Sequence, residues 1–289
     1  MQTLRDIRRR IRSVQSTRQI ARAMEMVSAA RLKRAQARVL TARPYAEKME
    51  TVVRKVCAAS AETVHPFLAS RDVKSLGVCV LTSDRGLCGA FNSNVIRRAE
   101  EFAEERRGAS GRPAVQFLPV GRKAFLHFRK VEKRLKCFVP ELGAFAEAAK
   151  ARGLTSGLVN LYLCGELDET WLVYTHFVSS GSRRISVERL LPVDVGEKEG
   201  VAQGYGYIFE PPARRLMDEL LPRYVGMKVF MCMADSCASE HSARMIAMSF
   251  ATKNADDMTY DLTLLRNRAR QASITKEIAD IVGTAEVLR

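Results

Sequence analysis

Apolar residues recur at spacings of three and four near both ends of the chain. In the middle they alternate or form short unbroken runs. From the N-terminus the series is Leu4, Ile7, Ile11 and Val14, then Ile20, Met24 and Val27. The positions between Val14 and Ile20 are polar, so the stripe is expected to change phase there. Toward the C-terminus Met258, Leu262, Leu265, Ala269 and Ala272 keep a 4-3-4-3 spacing, and Ile274, Ile278 and Ile281 follow nearby. Helix breakers sharpen the division. The first glycine is Gly77 and the first proline Pro44; no proline follows Pro222, and beyond it only Gly226 and Gly283 interrupt. The pattern predicts one helix from Thr3 or Leu4 into the fifties and another from about Pro212 to the end. At about 1.5 Å per residue they would be roughly 75–80 Å and 110 Å long. Helices of that length need coiled-coil or partner support. Both are rich in small residues, as in "SAARLKRAQA" and "ASEHSARMIAMSFATKNA", which let two backbones approach closely. Antiparallel pairing is expected, because the middle of the chain joins the two helices at one end.

The middle predicts an α/β domain. "LGVCVLT" is a buried-strand candidate and "NSNVIRRAEEFAEERR" a helix after it; "AVQFLPVG" and "RKAFLHFRKV" repeat that order. "LGAFAEAAKARGLTSGLVNLYLCGEL" suggests a further helix. "TWLVYTHFVS" and "RRISVERLLPV" flank "SGS" and alternate apolar with polar, which predicts a hairpin. Strand–helix–strand order favours a parallel sheet with an antiparallel edge. The expected organisation is an N-terminal coiled-coil helix over 1–58, a central Rossmann-like α/β domain over 70–208 and a C-terminal coiled-coil helix over 209–289.

Composition narrows the compartment and the partners. The chain has 289 residues, 47% hydrophobic, with a net charge of +15. Residues 1–55 hold 15 Lys/Arg against 4 Asp/Glu, whereas residues 210–289 hold 11 against 11, so the excess belongs to the N-terminal arm. Such an arm can meet nucleic acid, anionic lipid or an acidic protein surface, and charge alone does not choose. The seven cysteines are scattered and several sit inside apolar runs, which suits reduced thiols in a cytosol-like compartment. No apolar run approaches the roughly 18 residues of a membrane span. The first ten residues carry no signal-peptide core, and Asp6 and Glu25 speak against a matrix-targeting peptide.

The candidate chemistry centres on "SDRGLCGAFNSN", Ser83–Asn94, which follows a strand and precedes a helix. That is where α/β folds place ligands. Its glycines, Gly86 and Gly89, are spaced G-x-x-G, with neither the Lys-Ser/Thr of a phosphate loop nor the pattern of a dinucleotide loop. Cys88 stands before a helix N-terminus, a position that can activate a thiol. The four histidines form no recognisable nucleophile–base signature with it. The stretch is expected to be a structural turn first, a ligand loop second and a reactive thiol third. No CxxC pair exists, and His241 in "ASEHSAR" lacks the second histidine of a metalloprotease motif. No metal and no cofactor are expected. The arginines at 8, 9, 10 and 12 point around most of the helix, and no aromatic residue precedes position 45 for base stacking.

Four stretches carry a family resemblance. "AMEMVSAARLKRAQ", Ala23–Gln36, and "LLRNRARQASITKEIADIVGTAE", Leu264–Glu286, closely resemble the two end signatures of the gamma subunit family of F-type ATP synthases. "SDRGLCGAFNSNV" resembles its central motif, and "YIFEP", Tyr207–Pro211, the lead into its second long helix. The resemblance implies a non-catalytic rotor: an antiparallel coiled coil inside a ring of three alpha and three beta subunits. Its α/β domain would stand with the epsilon subunit on the membrane c-ring. It implies beta-subunit contacts at Arg270, Gln271, Thr275 and Glu277, with Met24 opposite and Lys33 and Arg34 meeting acidic loops. Tyr207 and Glu210 match the c-ring foot, and Gly86, Cys88 and Gly89 become a structural turn. The expected setting is peripheral, on the cytoplasmic face of a bacterial inner membrane, with no nucleic acid bound. The inserted cysteine pair of chloroplast members has no counterpart here. Two rivals follow from the residues alone: a nucleic-acid-binding coiled-coil protein, and an enzyme centred on Cys88.

Overall fold

The computed structural model describes residues 3–59, 65–108, 113–131, 135, 141–194 and 210–287. They form α1 (Leu4–Ala59), β1 (Ser75–Leu81), α2 (Phe91–Gly108), β2 (Ala114–Val120), α3 (Arg122–Val131), α4 (Ala148–Leu163), β3 (Glu169–Phe177), β4 (Arg183–Leu191) and α5 (Ala213–Val287). The chain divides into two compact units, Met1–Ser28 with Arg244–Arg289, and Ala29–Ala243.

The first unit is a pair of helical rods. Thr3 caps α1: the Asp6 backbone N–H reaches Thr3 Oγ1 at 3.3 Å, and the hydroxyl donates to the Asp6 carboxylate at 2.7 Å. The bond from the Thr3 hydroxyl, with the Thr3 backbone adding to it, holds the Asp6 carboxyl below its ordinary value. The rods pack antiparallel: Ile7 and Ile11 cluster with Leu262 and Ala269, while Arg18, farther along α1, meets Asp256, farther back on α5, at 2.6 Å. The α1 seam follows Leu4, Ile7, Ile11, Val14, Arg18, Ala21, Glu25 and Ser28, a strict 3-4 alternation of buried or half-buried positions. The expected change of phase is therefore wrong. Arg18 continues the stripe by keeping its guanidinium at the rim on Asp256, while Ile20 and Val27 face outward at 60% and 50% exposure.

On α5 the expected stripe is right at Leu262 and Ala269 and displaced at Met258, Leu265 and Ala272. The inward series is Met248, Thr252, Ala255, Thr259, Leu262, Arg266, Ala269 and Ser273, again 4-3-4-3. Met258, Leu265, Ile274, Ile278 and Ile281 are exposed. Threonine suits the seam because its hydroxyl is satisfied on its own helix. Thr252 donates to the Met248 carbonyl at 2.9 Å and Thr259 to that of Ala255 at 2.7 Å.

The second unit is built on a four-stranded sheet of order β2-β1-β3-β4. β1 pairs parallel with both β2 and β3, and β3 pairs antiparallel with β4. The central strand "SLGVCVL" is apolar on both faces because both are covered. One face carries Leu76, Val78 and Val80 into a core with Val95, Ala99 and Phe102 of α2 and Phe128 of α3. On the other face Gly77 is needed for room: a Cβ there would meet Leu167 at 2.7 Å. Gly121, between β2 and α3, has φ +91° and lies against the Thr82 carbonyl, so only glycine fits. The helix expected from Leu142 starts only at Ala148. Its first residues are held otherwise: the Asp84 carboxylate accepts the backbone N–H groups of Leu142 at 3.1 Å and Gly143 at 2.8 Å, and Gly143 takes φ +84°.

Candidate functional site

The glycine turn resolves into structure. Asn92, in the first turn of α2, accepts the Ser83 backbone N–H at 2.9 Å and donates to Cys88 Sγ at 3.1 Å. Ser83 Oγ donates to the Arg85 carbonyl at 2.7 Å. Cys88 is 2% exposed and packs with Phe91 and Ala243. Gly89 has φ +59°, while Gly86 keeps negative φ, and a Cβ on it would only touch the Lys123 side chain at 3.9 Å. Between them Leu87 is held at φ +64° and is 60% exposed, a conformation that a leucine side chain disfavours.

α5 lies against the C-terminal part of β3 and the turn after it, and the crevice where doubly wound sheets hold ligands keeps a hollow of about 320 Å³ lined by Ala90, Phe91, Asn94, Thr175, Arg183 and Ile185. Ser239 Oγ donates to the Thr175 carbonyl at 3.1 Å, and Ser242 Oγ to that of Ser180 at 2.6 Å. Small side chains at 238, 239, 242 and 243 let the helix approach this closely. The nearby polar groups also hold α5 in place. His241 Nε2–H donates to the Ala144 carbonyl at 2.7 Å, and His176 Nδ1–H to Asp235 at 2.6 Å. Asp235 is 4% exposed, and its Oδ1 has no hydrogen-bond partner among the described residues. Burial raises the Asp235 carboxyl above its ordinary value, more than His176 and Arg43 lower it. Tyr174 donates to Glu188 at 2.6 Å, and burial pushes its phenol far up. Burial likewise drives the Cys232 and Cys237 thiols up. Sequence reasoning missed this buried polar layer; its signal was the density of small and polar residues in "ADSCASEHSA".

What remains open to a partner is the outer surface of the rods. In the first unit Arg270, Gln271, Thr275 and Glu277 are exposed on α5, and Met24 is half-buried on α1. Arg18 meets Asp256 in the antiparallel register, so Met24 is level with about residue 250 of α5 and roughly 30–40 Å from the α5 group along the axis. The structure thus spreads these residues along a rod and does not gather them into one pocket. Around them Phe250, Tyr260 and Ile281 are 63%, 66% and 67% exposed. Uncovered apolar side chains at this density mark an interaction surface. In the second unit Lys33 and Arg34 are exposed on α1, and Glu210 is exposed just before α5; Tyr207 lies outside the described residues. Among the described residues no cluster of three His, Cys, Asp or Glu could hold a metal, and no helix is long and apolar enough to cross a membrane.

Two antiparallel rods with an uncovered apolar and cationic surface, on a chain that also carries an α/β unit, define a class of protein built for contact with partners. The comparisons then name the family. The ATP synthase family profile matches residues 3–288. The ATP synthase gamma chain of Pelotomaculum thermopropionicum is 46% identical over 288 residues, covering all of both chains. That of Moorella thermoacetica is 46% identical over 290 residues, again in full. The fold is similar to a chain of the Euglena gracilis mitochondrial ATP synthase (OSCP/F1/c-ring, rotational state 3). The TM-score is 0.69 at 19% identity, covering 99% of this chain and 94% of that one. It is also similar to a chain of the Tetrahymena thermophila central stalk/c-ring, with TM-score 0.61 at 24% identity, covering 80% and 99%. The chain belongs to the ATP synthase gamma chain family.

Proposed function

We propose that the chain is the non-catalytic central rotor of an F-type ATP synthase, transmitting torque between the membrane c-ring and three catalytic beta subunits. One observation carries the reading: helices of 56 and 75 residues whose seams are buried while large apolar side chains stay exposed outside them. Such rods gain little by themselves and imply an enclosing collar. The sequences and folds of the relatives support the same reading. The partners are three alpha and three beta subunits, the epsilon subunit and the c-ring. The setting is peripheral, on the cytoplasmic face of a bacterial inner membrane.

The physics suits rotation. An axle must not settle into one deep well, and exposed ion pairs contribute about 0–1 kcal/mol each, so charged contacts can be exchanged at every step. The basic face at Lys33 and Arg34 meets acidic loops of the beta subunits in this way. Arg270, Gln271, Thr275 and Glu277 engage the beta collar nearer the C-terminus, with Met24 farther down the rod. Glu210 and Tyr207 belong to the foot on the c-ring. An asymmetric rod shows a different face to each of three identical sites, and such differential contact shifts their populations. Nucleotide chemistry stays with the beta subunits; Gly86, Cys88 and Gly89 serve as a corner.

The test is the Arg270→Ala/Gln271→Ala double variant in the assembled complex. ATP-driven proton pumping should fall at least several-fold while circular dichroism of the isolated subunit stays unchanged. Full ATP synthesis in that variant would refute the contact assignment.

A further inference from the structure

We propose that the groove between α4 and α5 docks an amphipathic helix of a partner protein, one whose apolar ridge is flanked by carboxylates. The groove has a volume of about 680 Å³. On α4 its wall is Ala148, Ala151, Thr155 and Val159, one face of the helix over three turns, or about 16 Å. On α5 the wall is Gly226, Met227 and Phe230, and Tyr45 of α1, 55% exposed, stands beside them. Small side chains let the two helices close on each other at the floor: Ala151 and Thr155 are buried, and a Cβ on Gly226 would be in ordinary contact with Thr155 at 3.9 Å. Above that floor the trough is three turns long between two helices, which matches the apolar ridge of another helix.

Charge selects the kind of helix. Among the described residues the cations along the groove are Arg152 and Arg223, and no carboxylate lines it. Among the described residues Arg223 pairs with exposed Glu219 at 3.7 Å, a pair of little strength that a partner can displace. Leucine-like residues along the floor and Glu or Asp at the edges would satisfy apolar walls and guanidinium groups together. This site involves Tyr45, α4 and the start of α5, all within the second unit. It stands whether or not the rotor reading holds.

The test uses the full chain and two fluorescein-labelled helical peptides, matched in a leucine ridge at i, i+3, i+4 and i+7. One is flanked by Glu, the other by Lys. Fluorescence anisotropy should show saturable, salt-weakened binding of the Glu peptide, at least about tenfold tighter than the Lys peptide. Ser156→Trp, at the exposed rim, should weaken it at least tenfold with the helical signal intact. Arg152→Glu should do the same. Equal binding of both peptides overturns the proposal. So does binding that survives Ser156→Trp, which would belong to the basic N-terminal arm. Two other outcomes also overturn it: a dimer of the chain that Ser156→Trp dissociates, or anilinonaphthalene sulfonate filling the groove while neither peptide binds.

Discussion

Asp235 sits against the sheet at 4% exposure, held by His176 and with one oxygen unmatched among the described residues. Burial raises its pKa, so the folded chain keeps the proton to higher pH than the unfolded chain does. Stability from this carboxyl is full below the unfolded value and is lost as pH rises through the folded one. Asp235→Asn should therefore gain on the parent between about pH 4 and about pH 7, which urea melts at the two pH values would check. Tyr224 is pushed up to about 12, chiefly by burial with Glu50 adding to it, so its stabilising effect is lost as pH climbs above the ordinary phenol range. Leu87 predicts the opposite of a usual core residue. It is exposed and held at φ +64°, so Leu87→Asn should raise the thermal midpoint, corresponding to about 0.5–1 kcal/mol. Gly121→Ala has no such outlet: its Cβ would collide with the Thr82 carbonyl, and a loss of roughly 3 kcal/mol is expected in the same melts. Cys88→Ser should leave complex activity unchanged and cost some stability, because the thiol packs with Phe91 and Ala243. An abolished activity would revive the rival enzyme reading.

At the scale of elements, the rods were legible and their faces were not. The absence of early glycine and late proline marked two long helices, and the 3-4 spacing on α1 as far as Val14 marked the true seam. Beyond that point apolarity misled. Burial on α5 goes to Ala255, Thr259 and Leu262, while Met258 and Leu265 face out. Close antiparallel approach rewards small side chains at the seam, so a scan for apolar residues finds Leu262 and Ala269 but also takes in the exposed Met258 and Leu265. The difference is testable by paired substitutions. Ala255→Leu overfills the seam and should cost about 1–3 kcal/mol in urea unfolding of the isolated chain. Ile278→Ser, at an exposed position, should leave that unfolding unchanged and weaken assembly with alpha and beta subunits, measured by co-purification.

For the whole molecule, the uncovered apolar rod surface predicts a free chain that is poorly soluble, and stepwise removal of the last residues should reduce torque gradually. Stable, monodisperse free chain in sedimentation would oppose the enclosed-axle reading. The amino-acid sequence by itself determined the two end helices, the α/β middle with its antiparallel edge, the basic N-terminal arm and, through four motif stretches, the family. These depend on local spacing, breaker placement and residue order, which chain position alone specifies. Tertiary structure decided which stripe is the seam, that Ser239 and Ser242 tie α5 to β3 and the turn after it, that Asp84 delays α4, and that His176 meets Asp235. Those outcomes depend on which surfaces come within packing distance. Distance between residues far apart in sequence is fixed only when the helices close on one another and on the sheet.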